Sequence, residues 1–233
     1  MCGIAGVVST SKRVVRQATL QSMGDAIAHR GPDDSGTRAF IGAGLAFRRL
    51  SILDLSSAGH QPMTNEDESV WLVFNGEIYN FQELRKRLLK LGHIFRSETD
   101  SETIIHAYEQ YGEACVEHLQ GMFAFAIWDN HKKKLFAARD RFGMKPLYYL
   151  TVGHDLYFAS EIKAFIAAGV LTPQLNYSAL NEYFTFQNVL SDETLFAGVH
   201  LLPPATKLVW HAGSFKTELY WRPEFAPLND LDI

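Results

Sequence analysis

The chain opens with Met1-Cys2-Gly3-Ile4-Ala5-Gly6. A small residue at position two permits removal of Met1, and the mature chain would then carry a thiol and a free α-amine on Cys2. The thiolate is the reactive form of cysteine, and an adjacent base can take its proton. An unperturbed α-amine has a pKa of about 7.7–8.0 and is therefore partly neutral near physiological pH. The opening predicts a nucleophile and its base in one residue; the alternative is an ordinary cysteine at position two.

Behind this opening, the spacing of apolar residues predicts a layered α+β fold. Short strands are predicted over residues 3–8, 36–41, 44–49, 70–74, 122–128, 134–139, 147–151 and 156–159, and helices over 14–29, 80–91, 99–111, 161–168 and 177–186. Residues 70–74 and 122–128 are apolar on both alternating faces, the pattern of a strand covered on two sides. Many short strands joined by hairpin-like turns favour antiparallel sheets, here two sheets stacked between helical layers.

Composition excludes several classes of partner. The 233 residues fit one large domain or two small ones, and an apolar content of 47% is ample for a core. The net charge is −4, with acidic and basic residues interspersed. Neither a nucleic-acid footprint nor a polybasic membrane patch is present, so we expect no nucleic acid and no membrane among the partners.

The two cysteines are predicted to be free thiols. A disulfide between Cys2 and Cys115 would consume the proposed nucleophile, and Cys115 lies in a helical pattern where it reads as a small core residue. The sequence has no secretory signal pattern and no apolar run of membrane-spanning length. We therefore expect a cytoplasmic protein.

Three positions at the ends of predicted elements are candidate site residues. Asn75 and Gly76 end a buried strand and offer N–H donors that could stabilise an oxyanion, although Asn-Gly is also a turn signal. Asp100 follows Thr99, which with Glu102 forms a capping-box pattern like that of Asn80 with Glu83. In the first turn of its helix, Asp100 would stay ionised and hold an ammonium group, or would only favour the helix.

Arginines provide the opposite charge. Arg49 ends a strand, where it could clamp a carboxylate with two parallel hydrogen bonds, or form a surface ion pair with Asp54. Arg30 stands between a helix end and a Gly-Pro turn, which is typical of helix capping and an exposed turn. The alternating charges of residues 139–145 predict a salt-bridged turn between strands.

Taken in order, these segments resemble the N-terminal glutaminase domain of class II glutamine amidotransferases, in the asparagine synthetase (glutamine-hydrolysing) branch. The resemblance covers roughly the first 210 residues. The matching segments are residues 1–6, His29-Arg30-Gly31-Pro32-Asp33, Arg49-Leu50-Ser51-Ile52, Asn75-Gly76-Glu77-Ile78-Tyr79-Asn80, Thr99-Asp100-Ser101-Glu102, residues 138–143 and Phe158-Ala159-Ser160-Glu161-Ile162-Lys163.

The resemblance implies the four-layered αββα sandwich of N-terminal-nucleophile hydrolases. It implies that Cys2 attacks the side-chain amide of glutamine with its own α-amine as base, and that Asn75 and the Gly76 N–H form the oxyanion hole. Arg49 would bind the α-carboxylate of glutamine, and Asp100 and Glu77 would surround its α-amino group. The backbone of Leu50, Ser51, Ile52 and Leu53 would line the same pocket.

The resemblance also sets expectations about the rest of the protein. The family's synthetase half carries a Ser-Gly-Gly-x-Asp-Ser loop for the pyrophosphate of ATP, and no such loop occurs in these residues. We expect no metal or cofactor in this chain, with ATP and Mg²⁺ confined to a synthetase domain. Residues 1–210 would form the glutaminase domain, and 211–233 its end and a linker toward that domain. The expected partners are L-glutamine, a synthetase domain in cis or in trans, and a second copy of the chain in a homodimer.

Alternatives remain at this stage. The ammonia could serve an acceptor other than aspartate, the chain could hydrolyse a different amide, or it could be a glutamine-sensing or assembly module without turnover. One position departs from the family: Phe47 stands where a histidine is common. We expect that change to alter packing rather than activity.

Overall fold

Two six-stranded antiparallel sheets form the centre of the molecule. The computed structural model describes residues 1–51 and 57–225. Its strands are β1 (Gly3–Val8), β2 (Asp34–Phe40), β3 (Ala43–Arg49), β4 (Met63–Thr64), β5 (Val70–Ile78), β6 (Gly121–Asp129), β7 (Lys134–Arg139), β8 (Tyr148–Val152), β9 (Asp155–Ala159), β10 (Val199–Leu201), β11 (Thr206–His211) and β12 (Ser214–Leu219). The first sheet has the order β10-β8-β9-β1-β3-β2, and the second β12-β11-β7-β6-β5-β4. Strands β1 and β5 are thus interior strands of the two sheets.

Helices cover the outer face of each sheet. They are α1 (Gln17–Ala26), α2 (Phe81–Lys90), α3 (Asp100–Tyr111), α4 (Cys115–His118), α5 (Lys163–Ala167) and α6 (Tyr177–Phe186). Helix α1 packs on β1, β2, β3 and α5, whereas α2 packs on α3 and α3 packs on β5. The predicted αββα layer order is therefore confirmed.

The period of two along each strand places successive side chains in different layers. In β1, Ile4 and Val8 belong to the core between the sheets, while Ala5 and Val7 belong to the core under α1. In β6, Phe125 and its alternating neighbours face the helical layer of α2 and α3. Burial on both faces explains why these strands read as nearly continuous apolar runs.

Several element boundaries differ from the prediction. The helix expected over residues 14–29 covers only Gln17–Ala26, and a short 3₁₀ turn follows over Ala28–Arg30. The capping box predicted at Asn80 is wrong, because that side chain donates to the carbonyl of His118 and accepts from the N–H of Gln120. At Thr99 the cap does form, since its hydroxyl accepts from the N–H of Glu102 at 3.4 Å.

The fold continues past residue 210. Strand β12 pairs along its whole length with β11, and the hydroxyl of Tyr220 donates to the carbonyl of Arg139 at 2.8 Å. Residues 211–233 were predicted to contain the end of the domain and a linker. The last of these, residues 226–233, lie outside the described residues. Over residues 1–51 and 57–225, no helix is both long and apolar enough to cross a membrane.

Candidate active site

A cavity of about 170 Å³ lies beside the start of β1 and the last residues of β5. Most of the predicted site residues line it. Cys2 immediately precedes β1, Arg49 ends β3, and Asp100 opens α3. Its lining residues are Met1, Cys2, Phe47, Arg49, Leu50, Gly59, Gln61, Phe74, Asn75, Gly76, Glu77, Thr99, Asp100, Ser101, Met122 and Lys145. Of the predicted residues, Ser51 does not line this cavity, and Ile52 and Leu53 lie outside the described residues.

Backbone groups hold the Cys2 side chain in the cavity. Its sulfur accepts from the N–H of Leu50 at 3.4 Å and lies 3.6 Å from the carbonyl oxygen of the same residue. Burial raises the pKa of the Cys2 thiol, and the Leu50 N–H and the charge of Arg49 offset part of that rise. A buried thiol with a raised pKa needs a base to become a nucleophile. Both cysteines are free thiols, as predicted.

Arg30 fixes the backbone of Cys2. Its Nε donates to the carbonyl oxygen of Cys2 at 2.9 Å, and its Nη1 forms an ion pair of 3.0 Å with Glu161. Behind it, the N–H of Ile4 donates to the hydroxyl of Ser160 at 3.0 Å. Arg30 therefore braces the start of β1 from the helical side, beyond the capping role that its local sequence predicted.

Met1 lines the same cavity and is half exposed. Its sulfur lies 3.4 Å from Nζ of the buried Lys145. While Met1 is attached, the nitrogen of Cys2 is a peptide nitrogen with no basic lone pair. Removal of Met1 is therefore required before Cys2 can supply its own base.

Asn75 offers a buried donor that no described residue uses. The side chain is 1% exposed, and within residues 1–51 and 57–225 its Nδ2 has no hydrogen-bond partner. Buried amides are almost always paired, so an unpaired one requires an explanation. At the next position, a Cβ on Gly76 would collide with the carbonyl oxygen of Met122 on β6. The close approach of β6 thus requires glycine there.

Arg49 is buried at the end of β3. A Cβ at position 59 would collide with its guanidinium group, so Gly59 allows that group to lie against the backbone. Asp33 accepts from the N–H of Ser51 at 2.8 Å and so holds the turn that follows Arg49. Asp54, the alternative partner considered for Arg49, lies outside the described residues.

Asp100 provides a buried carboxylate on the cavity wall. Its Oδ2 accepts from the N–H of Ile78 at 2.9 Å. Burial raises the pKa of Asp100 to about 6, because desolvation and the nearby charge of Glu77 outweigh the backbone hydrogen bonds. The helix terminus alone therefore does not hold this carboxyl at its usual pKa, although at pH 7 most of it is ionised.

The loop of residues 139–145 is held by backbone hydrogen bonds rather than by the predicted salt-bridged turn. The guanidinium of Arg139 donates to the carbonyls of Gly143, Lys145 and Leu202 at 2.6–2.7 Å. The buried carboxylate of Asp140 accepts from the N–H groups of Phe123, Phe142, Met144 and Lys145 at 3.0–3.1 Å. The two charges position the cavity-lining Lys145 and the start of β6 beside Gly76.

Gln61 lines the cavity but was not predicted from the sequence. Gln61 is buried; its Nε2 donates to the hydroxyl of Ser101 at 3.2 Å, and its Oε1 accepts from the N–H of Phe74 at 2.7 Å. It therefore links β5 to the start of α3, near both Asn75 and Asp100. Its only local signal is a polar residue before a proline, which is typical of any turn.

Comparison with known proteins settles the family. The sequence model of the glutamine amidotransferase domain matches residues 1–221. The chain belongs to the glutamine amidotransferase family. The opening cysteine and the two stacked antiparallel sheets agree with the class II type that the sequence resembles.

This amidotransferase domain is similar to parts of longer proteins. It is 38% identical over 98% of its length to asparagine synthetase [glutamine-hydrolyzing] 1 of Bacillus subtilis, and covers 37% of that protein. Asparagine synthetase [glutamine-hydrolyzing] 2 of the same organism is 46% identical over 76% of the chain, which covers 24% of it. Amidase chyE of Penicillium rubens is 35% identical over 97% of the chain. The chain thus spans little more than a third, at most, of these three relatives.

A solved structure supports the fold independently. Glutamine phosphoribosylpyrophosphate amidotransferase from B. subtilis superposes with a TM-score of 0.70 over 95% of the chain and 50% of that structure. The sequence identity is 18%, so the likeness speaks for the shared sandwich alone.

Proposed function

We propose that this amidotransferase domain hydrolyses L-glutamine to glutamate and ammonia through a thioester on Cys2. The observation that carries the proposal is the buried, unpaired Nδ2 of Asn75 in the same cavity as the Cys2 thiol. A donor that no protein group uses is available to a developing oxyanion, and such preorganised donors supply a large share of catalysis in acyl transfer. Asn75 and the Gly76 N–H form the oxyanion hole in this mechanism.

The reaction starts after Met1 has been removed. The α-amine of Cys2 takes the thiol proton, and the thiolate attacks the side-chain amide carbon of glutamine. The tetrahedral intermediate collapses when the protonated amine gives its proton to the leaving nitrogen, which departs as ammonia. Water then attacks the thioester, with the amine again acting as base, and glutamate leaves.

Charges on the cavity wall would orient the substrate. Glutamine is a zwitterion, so its α-carboxylate needs a cation and its α-ammonium needs an anion. Arg49 and Asp100 supply these charges, with Glu77 beside Asp100. The backbone at Leu50 would complete the pocket, and the predicted contributions of Ile52 and Leu53 lie outside the described residues.

We further propose that the ammonia passes to a synthetase domain that makes asparagine from aspartate and ATP. The names and 34–46% identities of the asparagine synthetase relatives support this acceptor. The two relatives named amidases favour a second candidate, hydrolysis of an amide other than glutamine by the same domain. ATP and Mg²⁺ in the synthetase domain, a homodimer and a cytoplasmic location stay predictions.

Release of ammonia from glutamine by the purified chain tests the glutaminase proposal. We expect turnover that requires Cys2 and is absent in the Cys2→Ala variant, whereas binding of glutamine without turnover would identify a sensing module. Amides that lack the α-carboxylate or the α-ammonium should be poor substrates, because they lack a charge that Arg49 or Asp100 would bind. A chain that hydrolyses such amides as fast as glutamine would contradict the proposed pocket.

A further inference from the structure

Two histidines and a glutamate converge between the end of α2 and the middle of α3. His93 follows α2, whereas His106 and Glu109 stand three residues apart on one face of α3. Oε2 of Glu109 lies 2.7 Å from Nδ1 of His106 and 3.5 Å from Nδ1 of His93. None of the three lines the cavity at Cys2. The proposed glutaminase chemistry makes no use of this cluster.

The spacing of the three ligand atoms suits a small transition-metal ion. All three lie within 4.8 Å of one another. Zinc bonds of about 2.0–2.2 Å in a tetrahedron place neighbouring ligand atoms about 3.3 Å apart. Side-chain rotations would bring the three ligand atoms to that spacing. Two imidazoles and one carboxylate are donors that zinc and cobalt accept, whereas calcium and magnesium prefer oxygen alone.

The far side of each ligand meets a second polar group. Nε2 of His93 lies 3.1 Å from Oε1 of Gln110, and Nε2 of His106 lies 3.7 Å from Oε1 of Glu102. The other oxygen of Glu109 accepts from Nδ2 of Asn65 at 2.7 Å. Metal-binding histidines generally direct their second nitrogen to a carboxylate or carbonyl oxygen, which fixes the tautomer and the ring orientation. Outer hydrogen bonds of this kind hold His93 and Glu109, whereas the buried Nε2 of His106 has no hydrogen-bond partner within the described residues.

We propose that His93, His106 and Glu109 form a zinc-binding site whose fourth position is open to water. The partly exposed side chains of His93 and Glu109 give the ion access from solvent. The bound ion ties the segment after α2 to the middle of α3. Because Asp100 begins α3, the site stabilises the helix that carries one wall of the catalytic cavity.

Titration of the metal-free chain with Co²⁺, followed by visible d–d absorption and Zn²⁺ displacement, tests the site. The Cys2→Ala variant serves as the parent protein, because it removes thiolate binding at the active site. We expect one equivalent of four-coordinate Co²⁺ per chain. In the parent, His93→Asn should weaken binding more than about 100-fold, and Gln110→Ala, which removes an outer partner only, about 10-fold.

The matched control is His154→Asn, an exposed histidine in the turn between β8 and β9. It should bind Co²⁺ like the parent, and circular dichroism should show all variants folded. If His93→Asn fails to fold, the Gln110→Ala comparison still decides. The proposal is overturned by the absence of saturable d–d absorption, by equal affinity in parent, His93→Asn and Gln110→Ala, or by a signal that exists only with Cys2 intact. Those results would identify the cluster as a hydrogen-bonded network that binds no metal.

Discussion

Replacing Asn75 with alanine separates catalysis from stability at a fully buried position. The Nδ2 of Asn75 donates to no group among the described residues, so the truncation breaks no protein hydrogen bond through that atom. Burial of an unpaired amide costs about 1–3 kcal/mol, and its removal offsets the loss of packing around the smaller side chain. We expect the free energy of unfolding to change by no more than about 1 kcal/mol.

The catalytic cost should be much larger. Loss of one oxyanion donor typically lowers kcat by about 10²–10³, equivalent to about 2.7–4 kcal/mol of transition-state stabilisation. The KM for glutamine should change little, because the ground-state amide does not depend on that donor. Steady-state ammonia release gives kcat and KM, and urea unfolding gives the stability.

Asn65→Ala provides the matched control. Oδ1 of Asn65 accepts from the N–H groups of Ser69 and Val70, both at 3.0 Å, and its Nδ2 donates to Ser69 and Glu109. This variant should lose about 2–4 kcal/mol of stability and keep its kcat while folded. An unchanged kcat with a raised KM in Asn75→Ala would refute the oxyanion assignment and make Asn75 a substrate-binding residue.

Three further predictions concern the nucleophile and the two substrate charges. Cys2→Ala should abolish glutamine hydrolysis without unfolding the chain. Mass spectrometry of the active protein should show that Met1 is absent. A fully active enzyme that retains Met1 would rule out the α-amine as base. Arg49→Lys keeps the positive charge but loses the planar guanidinium group, so the KM for glutamine should rise. Hydrolysis of an amide without an α-carboxylate should stay nearly constant. Equal losses on the two substrates would indicate a structural role for Arg49. Glutamine binding to Cys2→Ala should weaken about tenfold per pH unit below pH 6, because protonation removes the Asp100 charge. Asp100→Asn should bind weakly at every pH in calorimetry, and a pH-dependent affinity in that variant would assign the titration to another group.

The Asp100 pKa also has a consequence for stability. Its value near 6 lies above the ordinary aspartate value, so between these two values the folded chain binds more protons than the unfolded chain. The contribution of Asp100 to stability is therefore greatest below the ordinary value and is lost as the pH rises through 6. The ionised Asp100 that the substrate would require is therefore the form that makes the folded chain less stable.

The sequence predicted the parts of the fold that follow from local periodicity. Strands buried on both faces, such as β5 and β6, carry continuous apolar runs that identify them without tertiary information. Strands β4, β10, β11 and β12 were missed. Strand β4 has two residues, β10 has three, and all six residues of β12 are exposed, so none of these three shows an alternation of buried and exposed side chains. Strand β11 carries the buried run Leu208-Val209-Trp210, which was not recognised as a strand.

In the candidate site, too, some residues could be predicted from the sequence and others could not. Cys2, Arg49 and Asp100 stand at element ends, and Asn75, Gly76 and Glu77 follow the apolar run of β5 but still pair with β6. The types of these residues point to function, and all of them line one cavity. Gln61 and Lys145 reach that cavity only because distant groups position them. The loop before Lys145 is held by the buried carboxylate of Asp140, and Gln61 bridges two elements. Such positions depend on tertiary contacts that no local pattern encodes.

The position of Met1 has a practical consequence for anyone who prepares the protein. Any affinity tag or fusion partner joined ahead of Cys2 would keep its nitrogen in an amide bond and extend from a cavity that Met1 already lines. Such a preparation would fold, bind to its affinity resin and fail in every glutaminase assay, because folding does not depend on the free amine and the chemistry does. A tag at the other end, or one whose protease leaves cysteine as the first residue, avoids this false negative.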